Sequence, residues 1–96
     1  MAFDQMKMLN DLRKAQKELK KEKVVVEAGD GLVEVTINGE LKIEDVSINA
    51  EMVDLENIDE LENAIKNAMR DGLAKAQEIA AEKMKPLMGG LGNLGL

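Results

Sequence analysis

A chain of 96 residues with a formal net charge of −6, no Cys, His, Trp or Tyr, and Phe3 as its one aromatic reads as a single small domain. This composition excludes disulfides, thiolate and imidazole metal sites, cysteine or histidine catalysis, and aromatic platforms for single-stranded nucleic acid. No apolar run approaches the roughly 20 residues of a membrane span and no signal peptide precedes the charged N-terminus, so a cytoplasmic protein is expected.

Residues 3 to about 22 read as an amphipathic helix, because Phe3, Met6, Leu9, Leu12, Ala15 and Leu19 recur at three- and four-residue spacing. Lys20, Lys21 and Lys23 fall late in it, where the helix dipole favours cations. A solvated face explains the lysines as well as binding does. Val24-Val25-Val26 then starts a strand. Gly29-Asp30 is expected to close a two-residue hairpin that pairs Ala28 with Gly31, Val26 with Val33 and Val24 with Val35.

The stretch Gly31 to Ile48, GLVEVTINGELKIEDVSI, is the organising core. Val33, Val35 and Ile37 alternate with Glu34 and Thr36, the period-2 pattern of a strand with one buried face. Side-chain parity calls for a three-residue loop of Ile37, Asn38 and Gly39 with Gly39 in the left-handed region, setting Val35 opposite Leu41 and Val33 opposite Ile43. The apolar phase slips afterwards, which places a second bulge near Glu44-Asp45. Asn57 and Glu60 have the spacing of a capping box for a second helix from about Ile58 to Lys85. Its apolar face includes Gly72, Ala76 and Ala80, small residues that fit a close helix–helix approach, and Pro86 is expected to stop it. Residues 1–86 then form one domain, and residues 87–96 a flexible Gly-rich tail.

Charge is distributed unevenly. Residues 1–23 carry seven basic and four acidic side chains, residues 24–62 one and twelve, and residues 63–96 five and three. If the first helix enters the sheet at its C-terminal end and the second leaves it at its N-terminal end, their other ends meet in an antiparallel arm away from the acid. On that arm lie Lys7, Arg13, Lys14, Lys17, Lys66, Arg70, Lys75, Lys83 and Lys85, and together with Lys20 and Lys21 these are the candidate phosphate contacts. No helix-turn-helix or basic-zipper pattern supports base readout. The carboxylates are spread over exposed positions with no paired pocket, which argues against an enzyme.

The strand–Asn-Gly–strand core, the charged helix before it and the long Ala- and Met-rich helix after it resemble the YbaB/EbfC family of bacterial nucleoid-associated proteins, over about residues 3 to 85. The resemblance implies an α+β protomer of order α-β-β-β-α, with a three-stranded antiparallel sheet and two long helices, assembled as a tweezer-like homodimer. It implies double-stranded DNA, bound with little sequence preference in the nucleoid, as the partner, with an influence on chromosome organisation and gene expression. No catalytic residue, cofactor, membrane or small-molecule substrate is implied. The competing expectation is a protein-interaction or adaptor module whose acidic surface has no physiological DNA partner.

Overall fold

Hydrophobic alternation over residues 24–37 builds the centre of the molecule. Strands β1 (Lys23–Ala28), β2 (Val33–Asn38) and β3 (Ile43–Ile48) form one antiparallel sheet in the order β1-β2-β3, between helices α1 (Ala2–Lys21) and α2 (Ile58–Gly92). This computed structural model describes residues 2–92, and the side chains of residues 5–87. The α+β class, the α-β-β-β-α order and the three antiparallel strands agree with the expectation.

Val24, Val26, Val33, Val35 and Ile37 share one face of the sheet and are buried under α2. Burying each such side chain contributes about 1.5–3 kcal/mol. The surface of α2 that meets them is made of Ala64, Ala68, Gly72 and Ala76, spaced by four and so aligned on one side of the helix. A Cβ on Gly72 would come within 2.7 Å of Ile37 Cδ1. The small residues therefore let the helix lie close on the sheet, so Gly72 and Ala76 serve a helix–sheet contact in place of the expected helix–helix one. Leu61, Ile65, Met69, Leu73 and Ile79 are half-buried beside them.

Both hairpins differ from their expected register by a common cause, the packing of residues next to the turn. In the first, Ala28 pairs with Val33, Val26 with Val35 and Val24 with Ile37, so the loop is the four residues Gly29 to Leu32. A two-residue turn would have put Leu32 in the strand on the solvent face, opposite Glu27. Looped instead, Leu32 folds into the core at 2% exposure, and Gly29, Asp30 and Gly31 take the positive-φ conformations that turn the four-residue loop back on itself. A shift of two residues leaves every side chain on its face.

In the second hairpin Val35 pairs with Val46 and Val33 with Ile48, and Glu44 is the extra residue between the Thr36–Asp45 and Ile37–Ile43 pairs. That bulge is where the sequence placed it. The loop is Gly39-Glu40-Leu41, with Asn38 N–H donating to Lys42 O at 2.9 Å, so Leu41 and not Gly39 carries the positive φ, at 67°. Asn38 holds the turn: it is buried, and its Oδ1 accepts from the Glu40 and Lys42 N–H groups at 2.9 and 3.2 Å. Gly39 serves another purpose. Its N–H donates to Leu19 O at 2.8 Å and to Glu22 O at 3.1 Å, tying the last turn of α1 to the sheet.

Two expectations at α2 are also corrected. The helix starts at Ile58 as read, but Asn57 N–H donates to Asp54 O at 3.0 Å, so the reciprocal bond of a capping box has no donor left. Pro86 lies inside the helix, which runs to Gly92. The ring removes one backbone bond, to Glu82 O, and the turns on either side keep theirs. The part of the expected tail from residue 93 to 96 lies outside the described residues.

α2 packs on β1 and β2 and leaves β3 open. Ile43, Val46 and Ile48 pair with Ile37, Val35 and Val33, so they continue the core face, yet all six residues of β3 are exposed. The described chain measures 64 × 23 × 14 Å, far longer than its sheet is wide.

Candidate nucleic-acid interface

Helix α1 touches the rest of the protein along one narrow side. Ala15 and Leu19, four residues apart, are its buried positions, with Leu12 half-buried one turn earlier. The remainder of the helix is free to carry charge. Lys7, Lys14 and Lys21, spaced by seven, and Arg13, Lys17 and Lys20 beside them, are all exposed on the outer half. At about 1.5 Å per residue this double row is about 21 Å long. Asp11 and Glu18 stand at three- and four-residue spacing beside Lys7, Lys14 and Lys21, on the side of the row nearer α2, and Glu18 approaches Lys83 of α2.

The cations of α2 are placed differently from the expectation. Lys66, Arg70 and Lys75 project from the turns whose other side, Ala64 to Ala76, covers the sheet, so they stand beside the sheet and not on an arm. Arg70 Nε lies 3.6 Å from Asp71 Oδ1. Lys83 is half-buried between the helices, its Nζ 3.5 Å from Glu22 Oε1 and 3.8 Å from Glu18 Oε2. It braces α1 against α2. Lys85 remains exposed one half-turn further. Six of the eleven candidates are thus brought together along α1, and Lys83 reaches that helix from α2.

The sequence reading missed an ion-pair network at the root of α1. Lys23 Nζ donates to Glu44 Oε1, and Asn38 Nδ2 donates to Glu44 Oε2 at 3.0 Å. The Lys23 bond, then the Asn38 bond, hold the Glu44 carboxyl below the usual carboxylate range. A clue was available, since an extra residue in a bulge re-aims its side chain, and Glu44 is that residue. Because its folded pKa is depressed, the ionised group stabilises the fold above its unfolded pKa, and that contribution is lost as pH falls through the folded value. Glu44→Gln is expected to melt below the native chain at pH 7, and the gap is expected to close as pH falls through the depressed folded value of Glu44. Melting curves across that range check this, and a difference that persists at the acid end would remove the ion pair as its cause.

Nearer the turn, Arg13, Gln16, Lys17 and Lys20 line a shallow groove with Glu40. Glu40 therefore marks the sheet-side boundary of the basic row. Among the described residues no helix is long and apolar enough to cross a membrane.

Comparison with known proteins agrees with the architecture. The model of the YbaB/EbfC DNA-binding family matches residues 2–91. The chain is 40% identical over 85 residues to a nucleoid-associated protein of Rhodococcus erythropolis, covering 88% of this chain and 76% of that one. It is also 40% identical over 95 residues to a nucleoid-associated protein of Syntrophobacter fumaroxidans, covering 98% and 86%. An uncharacterized protein from Helicobacter pylori has the same fold in its crystal structure, with a TM-score of 0.81, 18% identity and 91% of each chain covered. With a family match over almost the whole sequence and relatives at this identity, the chain belongs to the YbaB/EbfC DNA-binding family.

Proposed function

We propose that this protein binds double-stranded DNA as a homodimer with little sequence preference and acts in the nucleoid, where such binding influences chromosome organisation and gene expression. The observation that carries the reading is the double row of six exposed cations on α1, which outnumber the Asp11 and Glu18 of the same helix, while most of the acid lies in the sheet and in the segment before α2. Lysine and arginine without base-reading partners neutralise phosphates and release counterions, which gives affinity without sequence discrimination. The family and the nucleoid-associated relatives support the same partner.

The homodimer rests on β3. Ile43, Val46 and Ile48 form an apolar strip at the edge of the sheet, extended by Leu41 in the adjoining loop. An open edge strand of this kind favours pairing or packing with a second copy. A protein joined there carries two α1 helices, which is the tweezer-like form.

A gel-shift titration with non-specific duplex tests the function. Four phosphate contacts predict a loss of about 100-fold in affinity between 50 and 200 mM salt. An adaptor joined to its partner through apolar surface would show no such slope, and no shift at the lowest salt would refute DNA binding.

A further inference from the structure

We propose that Asn38 is a site of spontaneous deamidation gated by α1: the reaction is suppressed while α1 is seated on the β2–β3 hairpin and proceeds when that helix lifts. Of the seven asparagines in the chain, Asn38 alone is followed by glycine. A backbone nitrogen can attack the carboxamide of the asparagine before it, and glycine hinders that approach least, having no Cβ and the widest range of backbone angles. The bond that forms joins Gly39 N to Asn38 Cγ, and the bond that breaks is Cγ–Nδ2. Gly39 N loses its proton and Nδ2 leaves as ammonia. Water then opens the cyclic imide at either carbonyl, which leaves aspartate or isoaspartate at position 38.

In the seated state every participant is engaged elsewhere. Gly39 N–H is shared between Leu19 O at 2.8 Å and Glu22 O at 3.1 Å, so the nucleophile is held by the end of α1. The carboxamide is pinned as well: Oδ1 accepts from the Glu40 and Lys42 N–H groups, and Nδ2 donates to Glu44 Oε2. At 3% exposure Asn38 is also shut off from water. The helix that imposes this is lightly held. Ala15 and Leu19 are its buried residues, neither belongs to the core cluster under α2, and its ion-pair ties to α2 are those of Lys83 with Glu18 and Glu22. A segment with so few buried contacts opens locally, at less than the cost of global unfolding. The product does not fit the closed state. A carboxylate at position 38 has no hydrogen to give Glu44 and faces it as a like charge at hydrogen-bond distance, and isoaspartate adds a backbone atom to the turn. Each release of α1 therefore carries a chance of becoming permanent.

The test follows the full-length chain during incubation at one mildly alkaline pH, folded in buffer and unfolded in urea. Ion exchange reads the added negative charge, and peptide mass mapping assigns it to position 38. The folded chain is expected to react about 30-fold more slowly, because the two hydrogen bonds of Gly39 N–H must open first. Leu19→Ala removes one of the two buried anchors of α1 and is expected to react about tenfold faster than the folded native chain. Amide exchange of the native chain supplies a second measurement that needs no variant. The Gly39 amide is expected to exchange faster than the amides of β2, since it is freed by release of α1 alone. Equal rates in the folded and unfolded native chain would overturn the protection. A folded Leu19→Ala that reacts at the native rate, or a Gly39 amide that exchanges only with those of β2, would overturn the gating by α1.

Discussion

Replacing Gly39 by alanine is expected to destabilise the fold by about 2–3 kcal/mol and to lower the melting temperature by about 8–24 °C for a domain of this size. The added Cβ would stand 2.5 Å from Leu19 O, 3.0 Å from its Cα and 3.1 Å from its carbonyl carbon. Those are backbone atoms, so no side chain can rotate away. Relief requires the end of α1 to withdraw, which breaks the bonds from Gly39 N–H to the Leu19 and Glu22 carbonyls. Gly31→Ala is the comparison: its Cβ would meet nothing within 4 Å, and its cost is confined to the positive φ of 94°, about 1–2 kcal/mol. Thermal melts of both variants check the order. If Gly39→Ala melts with the native chain, the tight seat of α1 on the hairpin is wrong. Since the basic row is carried by α1, loss of that seat is also expected to weaken DNA binding.

The second large effect is expected at the open edge of the sheet. Val46→Asp with Ile48→Asp should halve the mass in solution while the protomer stays folded. Both side chains are already 40–43% exposed, so the substitutions empty no core position. In a dimer joined through β3 they bury four carboxylates, and each costs several kcal/mol without a partner. A protomer alone has one α1, and loss of the second binding helix is expected to reduce affinity for duplex by at least about 100-fold through lost avidity. Light scattering or sedimentation reads the mass, and the same preparation can be titrated with DNA. An unchanged mass would put the dimer contact elsewhere on the surface.

Particular residues show which parts of the architecture were legible. Val24, Val26, Val33, Val35 and Ile37 announce their shared face through alternation, and the phase slip after Ile43 announces the bulge at Glu44. Both are local signals, because a strand repeats every two residues whatever packs on it. The charge rows of α1 are legible for the same reason, since helical periodicity alone puts Lys7, Lys14 and Lys21 on one side. The loops were not legible in this way. Leu32 moved the first turn because its burial outweighs a compact loop, and Leu41 bears a left-handed conformation while Gly39 is reserved for contact with Leu19.

The same division holds for the candidate site. Composition and order along the chain determined the fold class, the absence of cysteine and histidine chemistry, and the separation of basic helix from acidic middle, because each depends only on residue type and periodicity. Tertiary structure decided which cations share a surface. Ala64, Ala68, Gly72 and Ala76 bring α2 down on the sheet for half its length, and that packing moves Lys66, Arg70 and Lys75 away from α1 and leaves Lys83 to brace the helices. No periodicity encodes that outcome, since it depends on how closely two distant segments can approach, and the approach is set by side-chain volume at their contact.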